Sequence, residues 1–153
     1  MRTIEMPEEA SLQLDHLVLD VNGTLTERGE LIEGVAERLG QVGRDLDVHL
    51  LTADTFGTAT PLGDQLGVPV TLIRTGDDKL AFVAELGADT TVAIGNGRND
   101  AAMVQAARLG IVIIGPEGAA AATLLAADVI CRSVTEALDL LLDERSLIAT
   151  LRT

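Results

Sequence analysis

Aromatic side chains are nearly absent from this chain of 153 residues, which contains Phe56 and Phe82 but no tyrosine or tryptophan. A core without aromatic rings must be built from leucine, valine, isoleucine and alanine. Such a core offers little flat surface on which a base or a planar cofactor could stack. Cysteine is equally scarce. Because Cys131 is the single cysteine, no disulfide forms within the chain, and no cysteine and histidine cluster suggests a zinc site.

Basic residues are few compared with acidic ones. The chain has 24 aspartates and glutamates against 11 lysines and arginines, a formal net charge of −13. A surface of this charge repels phosphate backbones and anionic lipid head groups, so we expect neither a nucleic-acid partner nor a membrane partner. No apolar run reaches the roughly 20 residues of a membrane helix, and the first residues lack the pattern of a signal peptide. These features predict a cytoplasmic protein.

Lysine occurs once, at Lys79, in a chain that otherwise uses arginine for its basic side chains. The helical pattern around Lys79 places it in a first helical turn, where a cation opposes the helix dipole by about 0.3–1 kcal/mol. Arginine presents a broad fork, whereas lysine presents a compact ammonium that can contact a carboxylate and a phosphoryl oxygen together. The use of lysine at this one position therefore indicates a functional group.

Short apolar runs alternate with helical patterns along the chain from residue 16 onward. Runs of this length that are rich in branched side chains are typical of buried strands. They predict strands at 16–19, 48–51, 68–73, 91–94, 111–114 and 128–131. Apolar stripes between them predict helices, one of which begins with a capping box of Ser133 and Glu136. This alternation predicts one α/β domain over residues 1–153, with a parallel sheet and helices on both faces.

Polar residues follow the predicted strands where their carboxyl ends meet at one edge of the sheet. The first strand leads into the segment 20–26, Asp-Val-Asn-Gly-Thr-Leu-Thr, and the second ends at Thr52. Lys79 follows the third, and the fourth leads into the segment 95–100, Gly-Asn-Gly-Arg-Asn-Asp. Taken one at a time, such residues are also common in turns and helix caps. Their joint occurrence, in order and each at a strand end, favours an active site.

Four further polar residues are weaker candidates for function. His16 and His49 lie inside predicted strands, where we expect buried histidines with satisfied hydrogen bonds. Arg98 lies in the loop after the fourth strand, where it either helps to hold an anionic substrate or is a solvated loop residue. Glu117 lies in a loop at the same edge of the sheet, and we expect it to be structural.

The motifs at the strand ends resemble those of the haloacid dehalogenase (HAD) superfamily. The segment 19–26 resembles its first motif, which reads hydrophobic-Asp-x-Asp-Gly-Thr. Thr52 matches the second motif, Lys79 the third, and the segment 95–100 the fourth, which is usually Gly-Asp-Gly-x-Asn-Asp. The resemblance covers about residues 14–142 and implies a Rossmann-like core. The most similar subgroup is that of soluble proteins similar to the phosphorylation domain of P-type ATPases.

The resemblance implies a phosphohydrolase or phosphotransferase. Asp20 would be the nucleophile that forms an aspartyl-phosphate, and Thr52 and Lys79 would hold the transferring phosphoryl group. Gly23 would let the backbone approach the phosphate closely, with nearby amides donating to its oxygens. Asn99 would complete the phosphate-binding set.

Two positions of the implied site carry amides in place of acids. The resemblance implies that Asp20, the backbone carbonyl of Asn22, Asn96 and Asp100 bind Mg²⁺, which prefers hard oxygen ligands. Asn96 stands where the family has a metal-binding carboxylate, so the metal should bind more weakly. Asn22 stands at the catalytic position of the acid that protonates the leaving group, and general acid–base catalysis is worth about 10²–10⁴-fold in rate. We therefore expect a slow enzyme.

The intervals between the motifs are too short for a cap domain. The segment 26–34 has room for a small turn or a hairpin, and the segment 52–79 for one helix and one strand. The open site that results fits a large substrate such as a phosphoprotein, or a small phosphorylated substrate if a neighbouring subunit of a homo-oligomer covers it. The alternative, which the two amides favour, is a weakly active or inactive domain that binds a phosphorylated ligand or protein partner in a regulatory role.

Overall fold

A central sheet of six parallel strands organises the protein, whose computed structural model describes residues 1–7, 9–53, 57 and 59–153. The strands in these ranges are β1 (Arg2–Ile4), β2 (Leu12–Leu14), β3 (His16–Asp20), β4 (Thr26–Glu27), β5 (Glu30–Leu31), β6 (Asp47–Thr52), β7 (Val70–Leu72), β8 (Thr91–Gly95), β9 (Leu109–Ile113) and β10 (Val129–Cys131). The central sheet has the order β10-β9-β8-β3-β6-β7, and each neighbouring pair is parallel. Because β3 lies between β6 and β8, the strand order reverses there and a crevice forms at the carboxyl end of β3.

Helices cover both faces of this sheet, as the sequence predicts. Those in the described ranges are α1 (Val35–Val42), α2 (Ala59–Leu66), α3 (Gly76–Leu86), α4 (Ala101–Ala106), α5 (Ala121–Ala126), α6 (Val134–Leu142) and α7 (Glu144–Leu151), with single 3₁₀ turns at Ala88–Thr90 and Arg98–Asp100. Among them, none has the length and apolar character needed to cross a membrane.

The alternation of side chains along β3 assigns its residues to two separate apolar layers. Leu17 and Leu19 point into the layer that α1 and α6 cover, whereas Val18 points into the layer beneath α3 and α4. All three side chains are fully buried, and burial of each stabilises the fold by about 1.5–3 kcal/mol. The central strand is therefore held from both sides, which fixes the position of its last residue, Asp20.

The segments between the predicted motifs contain few elements. Between β3 and α1, the structure has the antiparallel pair of β4 and β5. In the described part of the segment between β6 and α3, it has α2 and β7. The predicted hairpin and the predicted helix and strand are therefore present.

The N-terminal hairpin and the edge strand β7 differ from the sequence-based expectations. β1 and β2 form an antiparallel pair ahead of residue 16, where the sequence predicts no strand. Strands of three residues show too little alternation for a pattern to reveal them. β7 is shorter than the predicted range 68–73, because Pro69 has no N–H for the ladder. The carbonyl of Pro69 still accepts a 3.0 Å hydrogen bond from the backbone amide of Leu50.

The start of α6 shows half of the predicted capping box. The hydroxyl of Ser133 accepts a hydrogen bond from the amide of Glu136 at 3.2 Å. The carboxylate of Glu136 binds the backbone N–H and the guanidinium of Arg132 instead of returning to Ser133. The predicted hydrogen bond from the backbone N–H of Ser133 to the carboxylate of Glu136 is therefore wrong, because a charged guanidinium is a stronger donor than a neutral backbone amide.

The two histidines in the strands are packed together but lack the hydrogen bonds expected of them. Nδ1 of His16 and Nε2 of His49 are buried without a hydrogen-bond partner in the described part of the chain. The two rings lie 5.6 Å apart, and the ring of His49 also lies 5.6 Å from that of Phe82. Burial, followed by the proximity of His16, lowers the pKa of His49, and the carboxylate of Asp47 opposes the shift. A carboxylate oxygen of Asp47 lies 3.9 Å from Nδ1 of His16, so the two rings have a charged neighbour but no hydrogen bond to it.

Candidate active site

Asp20 is the last residue of β3, where β6 and β8 flank the strand. It is buried, with 7% of its surface exposed. Oδ1 accepts a 2.6 Å hydrogen bond from Nζ of Lys79. Oδ2 accepts a longer bond of 3.4 Å from the hydroxyl of Thr24. Oδ2 is therefore the less engaged oxygen of this carboxylate.

Lys79 is almost completely buried, with 1% of its surface exposed. A capping box of Thr75 and Asp78 fixes the first turn of α3 and so directs this side chain into the crevice. Its Nζ lies 2.6 Å from Oδ1 of Asp20 and 2.6 Å from Oδ1 of Asp100. Burial by itself would lower the pKa of Lys79, but the two carboxylates raise it above its ordinary value. The single lysine of the chain is therefore a charged link between two acidic groups.

The charge on Asp20 is set by opposing effects. Burial, followed by the negative charge of Asp100, raises the pKa of Asp20 to about 6, although the ammonium of Lys79 and the hydroxyl of Thr24 act in the other direction. A carboxyl with this pKa is ionised at pH 7. The ammonium of Lys79 thus faces two carboxyl groups inside the buried cluster.

Asp100 holds the fourth motif in place. It is completely buried, and its Oδ2 accepts hydrogen bonds from the backbone amides of Asn96 at 3.0 Å and Gly97 at 2.9 Å. Its Oδ1 binds Lys79. A β-carbon on Gly95 would lie 2.5 Å from the carboxylate carbon of Asp100, so this approach requires glycine. Asp100 is thus buried with a hydrogen bond at each oxygen, and its role as a metal ligand stays a prediction.

Asn96 lies across the crevice from Asp20, and its amide has a defined orientation. Nδ2 donates to the backbone carbonyl of Gly118 at 3.1 Å. That bond turns Oδ1 towards the hydroxyl of Thr24, which lies 3.3 Å away. The side-chain oxygen of Asn96 therefore faces the same space as Oδ2 of Asp20.

The backbone of Thr26 closes the loop that follows Asp20 with two hydrogen bonds. Thr26 accepts a hydrogen bond from the amide of Gly23 at 3.1 Å and donates to the carbonyl of Val21 at 3.2 Å. Among the described residues, the backbone N–H and C=O of Asn22 take no part in the backbone hydrogen bonds that close this loop. Gly23 has φ +77°, a conformation that favours glycine. The amide available to an anion in this loop is therefore that of Asn22 rather than that of Gly23.

Thr52 and Asn22 meet in the crevice. Thr52 ends β6 and is 1% exposed, and its hydroxyl oxygen lies 3.4 Å from Nδ2 of Asn22. Asn99 is exposed, and its side-chain oxygen lies 2.9 Å from the position of a β-carbon on Gly97. The structure thus brings together Asp20, Asn22, Gly23, Thr52, Lys79, Asn96 and Asp100, whereas the side chain of Asn99 lies against the loop of the fourth motif.

Solved structures of phosphatases share this architecture. A protein of Streptomyces avermitilis described as a HAD family hydrolase aligns with a TM-score of 0.67 and 16% identity, over 92% of this chain and 85% of that chain. The chain has the HAD-type fold. A 3-deoxy-D-manno-octulosonate 8-phosphate phosphatase from Moraxella catarrhalis, solved with magnesium ion, phosphate ion and KDO, has a TM-score of 0.66 and 20% identity over 91% and 94% of the two chains. A phosphoserine phosphatase, solved as an analogue of its phospho-aspartyl intermediate, has a TM-score of 0.68 and 15% identity over 83% and 98%.

Sequence comparison reaches a shorter part of the chain. An uncharacterized protein of Methanocaldococcus jannaschii is 49% identical over 61 residues, which are 40% of this chain and 66% of that protein, just under two thirds of its length. No family model matches the sequence. Because the three HAD-type structures share 20% identity or less with the chain, they show a common fold alone.

The crevice of this HAD-type fold contains oxygen donors that suit a magnesium ion. Oδ2 of Asp20 and Oδ1 of Asn96 lie 3.4 Å and 3.3 Å from the same hydroxyl, that of Thr24. The backbone carbonyl of Asn22, which accepts no hydrogen bond from the described backbone, is a third candidate oxygen. Within the described ranges, no group of three or more His, Cys, Asp or Glu is arranged for a metal ion. The residues present therefore fit a Mg²⁺ ion with a donor set of low charge.

Sequence reasoning missed two buried hydroxyls that organise this crevice. Thr24 is completely buried between Asp20 and Asn96, although it lies inside the motif that points to the site. Thr123 donates a 2.6 Å hydrogen bond to the carbonyl of Gly97 and so anchors α5 against the fourth motif. The available signal was a single threonine after a run of alanines, a polar residue at a position that otherwise packs as a small apolar one.

Proposed function

We propose that this protein is a phosphohydrolase or phosphotransferase that forms an aspartyl-phosphate on Asp20. The observation that carries the proposal is the buried pair of Asp20 and Lys79, with a 2.6 Å contact at the end of the central strand. The pair holds an ionised carboxylate in one orientation and places a positive charge beside it. A phosphoryl group brings negative charge to this position, where a fixed ammonium stabilises it. The phosphatases that share the fold support the same chemistry.

The reaction has two displacement steps at phosphorus. In the first, a carboxylate oxygen of Asp20 forms a bond to phosphorus in line with the leaving oxygen, whose bond breaks and which departs with the electron pair. In the second, water or an acceptor hydroxyl attacks phosphorus, loses its proton to solvent, and the carboxylate of Asp20 is released. The phosphoryl oxygens are held during both steps by Lys79, by the hydroxyl of Thr52 and by the backbone N–H of Asn22. Asn99 contacts them from the edge of the site.

Magnesium fits this site in a supporting role. Asp20, the backbone carbonyl of Asn22 and Oδ1 of Asn96 would hold it, and the bound ion would neutralise charge on the phosphoryl oxygens. Asp100 acts one step away, because its oxygens hold Lys79 and the amides of the fourth motif. The phosphatase solved with magnesium and phosphate has the same fold, which supports this choice of cation.

The side-chain carboxamide of Asn22 makes the enzyme slow and selective for its leaving group. A carboxamide neither gives nor takes a proton at neutral pH, so the leaving oxygen departs as an anion without general acid help. Acyl and aryl phosphates have leaving groups that are stable anions, and we expect them to react. Small alkyl phosphates such as sugar phosphates are the substrate class that this site handles poorly.

A second candidate function is phosphate-dependent binding without turnover. The side-chain amides of Asn22 and Asn96 both form hydrogen bonds inside the protein. Asn22 donates to the hydroxyl of Thr52 at 3.4 Å, and Asn96 donates to the carbonyl of Gly118 at 3.1 Å. A site with this arrangement can hold a phosphorylated ligand or a phosphorylated protein partner. This function would leave Asp20 without phosphoryl transfer.

Trapping with beryllium fluoride and magnesium separates the two functions. Beryllium fluoride with magnesium should occupy Asp20 of the native protein in a crystal structure and raise its melting temperature, and the Asp20→Asn variant should show neither effect. The same variant should lose hydrolysis of an aryl phosphate while it keeps its fold. Undiminished hydrolysis by Asp20→Asn would refute Asp20 as the nucleophile. Ligand binding with no trapping and no hydrolysis in the native protein would favour the binding function.

A further inference from the structure

We propose that Glu117 is a second anionic residue of this crevice, that it raises the affinity for a divalent cation, and that the amide of Asn96 positions it. The inference rests on the proposed function. It concerns a residue that the fold alone does not assign, because Glu117 lies in the turn between β9 and α5 rather than in any of the four motifs.

Glu117 reaches the crevice through the gap that Gly23 leaves. Oε2 of Glu117 lies 3.2 Å, and Nδ2 of Asn96 lies 2.8 Å, from the position that a β-carbon would take on Gly23. Both groups therefore border the same point of the loop that follows Asp20. Any side chain at this position would displace the carboxylate of Glu117 or the amide of Asn96.

The turn that carries Glu117 is fastened to the fourth motif. Nδ2 of Asn96 donates to the carbonyl of Gly118 at 3.1 Å, and the amide of Ala120 donates to the carbonyl of Asn96 at 2.8 Å. The turn itself closes through a 2.9 Å bond from the amide of Gly118 to the carbonyl of Gly115. A carboxylate at position 96 would have no N–H to give to Gly118. The amide at this position therefore holds the turn against the crevice.

The carboxylate of Glu117 is available to a cation. It is exposed, and it forms no hydrogen bond or ion pair with the part of the chain that the structure describes. The other carboxylates of the crevice are engaged, because Asp100 uses both oxygens and Asp20 gives Oδ1 to Lys79. Glu117 therefore adds a full negative charge beside a donor set that has one charged ligand.

The test is the affinity for Mg²⁺ alone, measured by titration calorimetry on the intact protein without substrate. Glu117→Gln should raise the dissociation constant about tenfold, the effect of one unit charge on a nearby divalent ion in a water-like environment. The effect should shrink at high salt, because screening weakens exposed charges. Glu117→Asp keeps the charge and should stay within about threefold of the native value. Glu85→Gln, an exposed change two turns further along α3 from Lys79, is the matched control and should leave affinity unchanged.

The outcomes separate this inference from the function on which it rests. If the native protein binds Mg²⁺ and is trapped by beryllium fluoride, but Glu117→Gln binds Mg²⁺ equally well, the role of Glu117 is refuted and the proposed function stands. An equal loss in Glu85→Gln would also refute it, because the effect would then come from net charge. If the native protein shows neither Mg²⁺ binding nor trapping, both proposals fail.

Discussion

Replacing Lys79 with methionine should destabilise the protein strongly, and more so at neutral pH than at acidic pH. Methionine keeps the length and much of the volume of the side chain but removes its charge. Lys79 is 1% exposed and lies 2.6 Å from each of two carboxylate oxygens. Removing one partner of a buried ion pair costs about 3–5 kcal/mol, since an uncompensated charge stays buried. We expect Lys79→Met to lose a free energy of unfolding of this size at pH 7.

The pH dependence follows from Asp20. Its pKa in the native fold, about 6, already lies above the ordinary value of 3.8, and removing the ammonium should raise it further. A carboxyl whose pKa is raised by folding penalises the folded state where it is ionised. The penalty is complete above the folded pKa, is relieved as pH falls through that value, and vanishes below the unfolded value. Below about pH 6, Asp20 is protonated in both folded proteins, so its titration affects their difference only above this value. The deficit of Lys79→Met should therefore shrink as pH falls from 8 to about 6 and then stay level.

Urea unfolding at pH 8, 7, 6, 5 and 4 measures this deficit for the native protein and Lys79→Met. Arg74→Met, which removes an exposed cation just ahead of α3, is the matched control and should cost less than 1 kcal/mol at each pH. Lys79→Met combined with Asp20→Asn should regain part of the loss at pH 7 and flatten the pH profile, because one of the two facing carboxylates is gone. A loss below about 1 kcal/mol at pH 7, or a deficit that grows as pH falls, would refute the reasoning.

Three other changes give separate tests of the site and the core. Asn22→Asp should raise hydrolysis of an alkyl phosphate by about 10²-fold or more and that of an aryl phosphate by much less; equal gains in the two rates would argue against a missing acid. Gly95→Ala should lose about 1–3 kcal/mol of unfolding free energy in urea, because its β-carbon would lie 2.5 Å from the carboxylate of Asp100. His49→Phe should flatten the loss of stability between pH 7 and pH 5. Because the pKa of His49 is lowered in the fold, the native protein loses stability as pH falls through the ordinary value of about 6.5. If the urea midpoints of His49→Phe fall with pH as steeply as those of the native protein, this reasoning is contradicted.

The parallel sheet was predictable from the sequence because each central strand is a short buried run with its own flanking helix. The run 16–19, for example, has apolar residues on both faces, as the structure shows for Leu17, Val18 and Leu19. Parallel strands place their carboxyl ends at one edge, so the positions of Asp20 and Thr52 followed from the strand boundaries. The N-terminal hairpin did not follow, because pairing between two strands of three residues depends on tertiary contacts.

The hydrogen bonds of the site were beyond sequence reasoning for a different reason. The orientation of Asn96 depends on a carbonyl at Gly118, 22 residues further along the chain. The engagement of both oxygens of Asp100 depends on the missing side chain of Gly95, which lets the carboxylate approach. Residue types and spacing show that such groups are near one another, but they do not show which oxygen accepts from which donor.

All three asparagines of the chain, Asn22, Asn96 and Asn99, lie in the two loops that border the crevice. Read as a departure from an acidic pattern, the first two suggest a weakened enzyme. In the structure each also gives an N–H that an acid lacks, Asn22 to the hydroxyl of Thr52 and Asn96 to the turn that carries Glu117. Changing either amide to aspartate would therefore add a charge and remove a donor together. The crevice of this protein is organised around neutral donors at these positions, with the negative charge placed on Asp20 and, in our proposal, on Glu117.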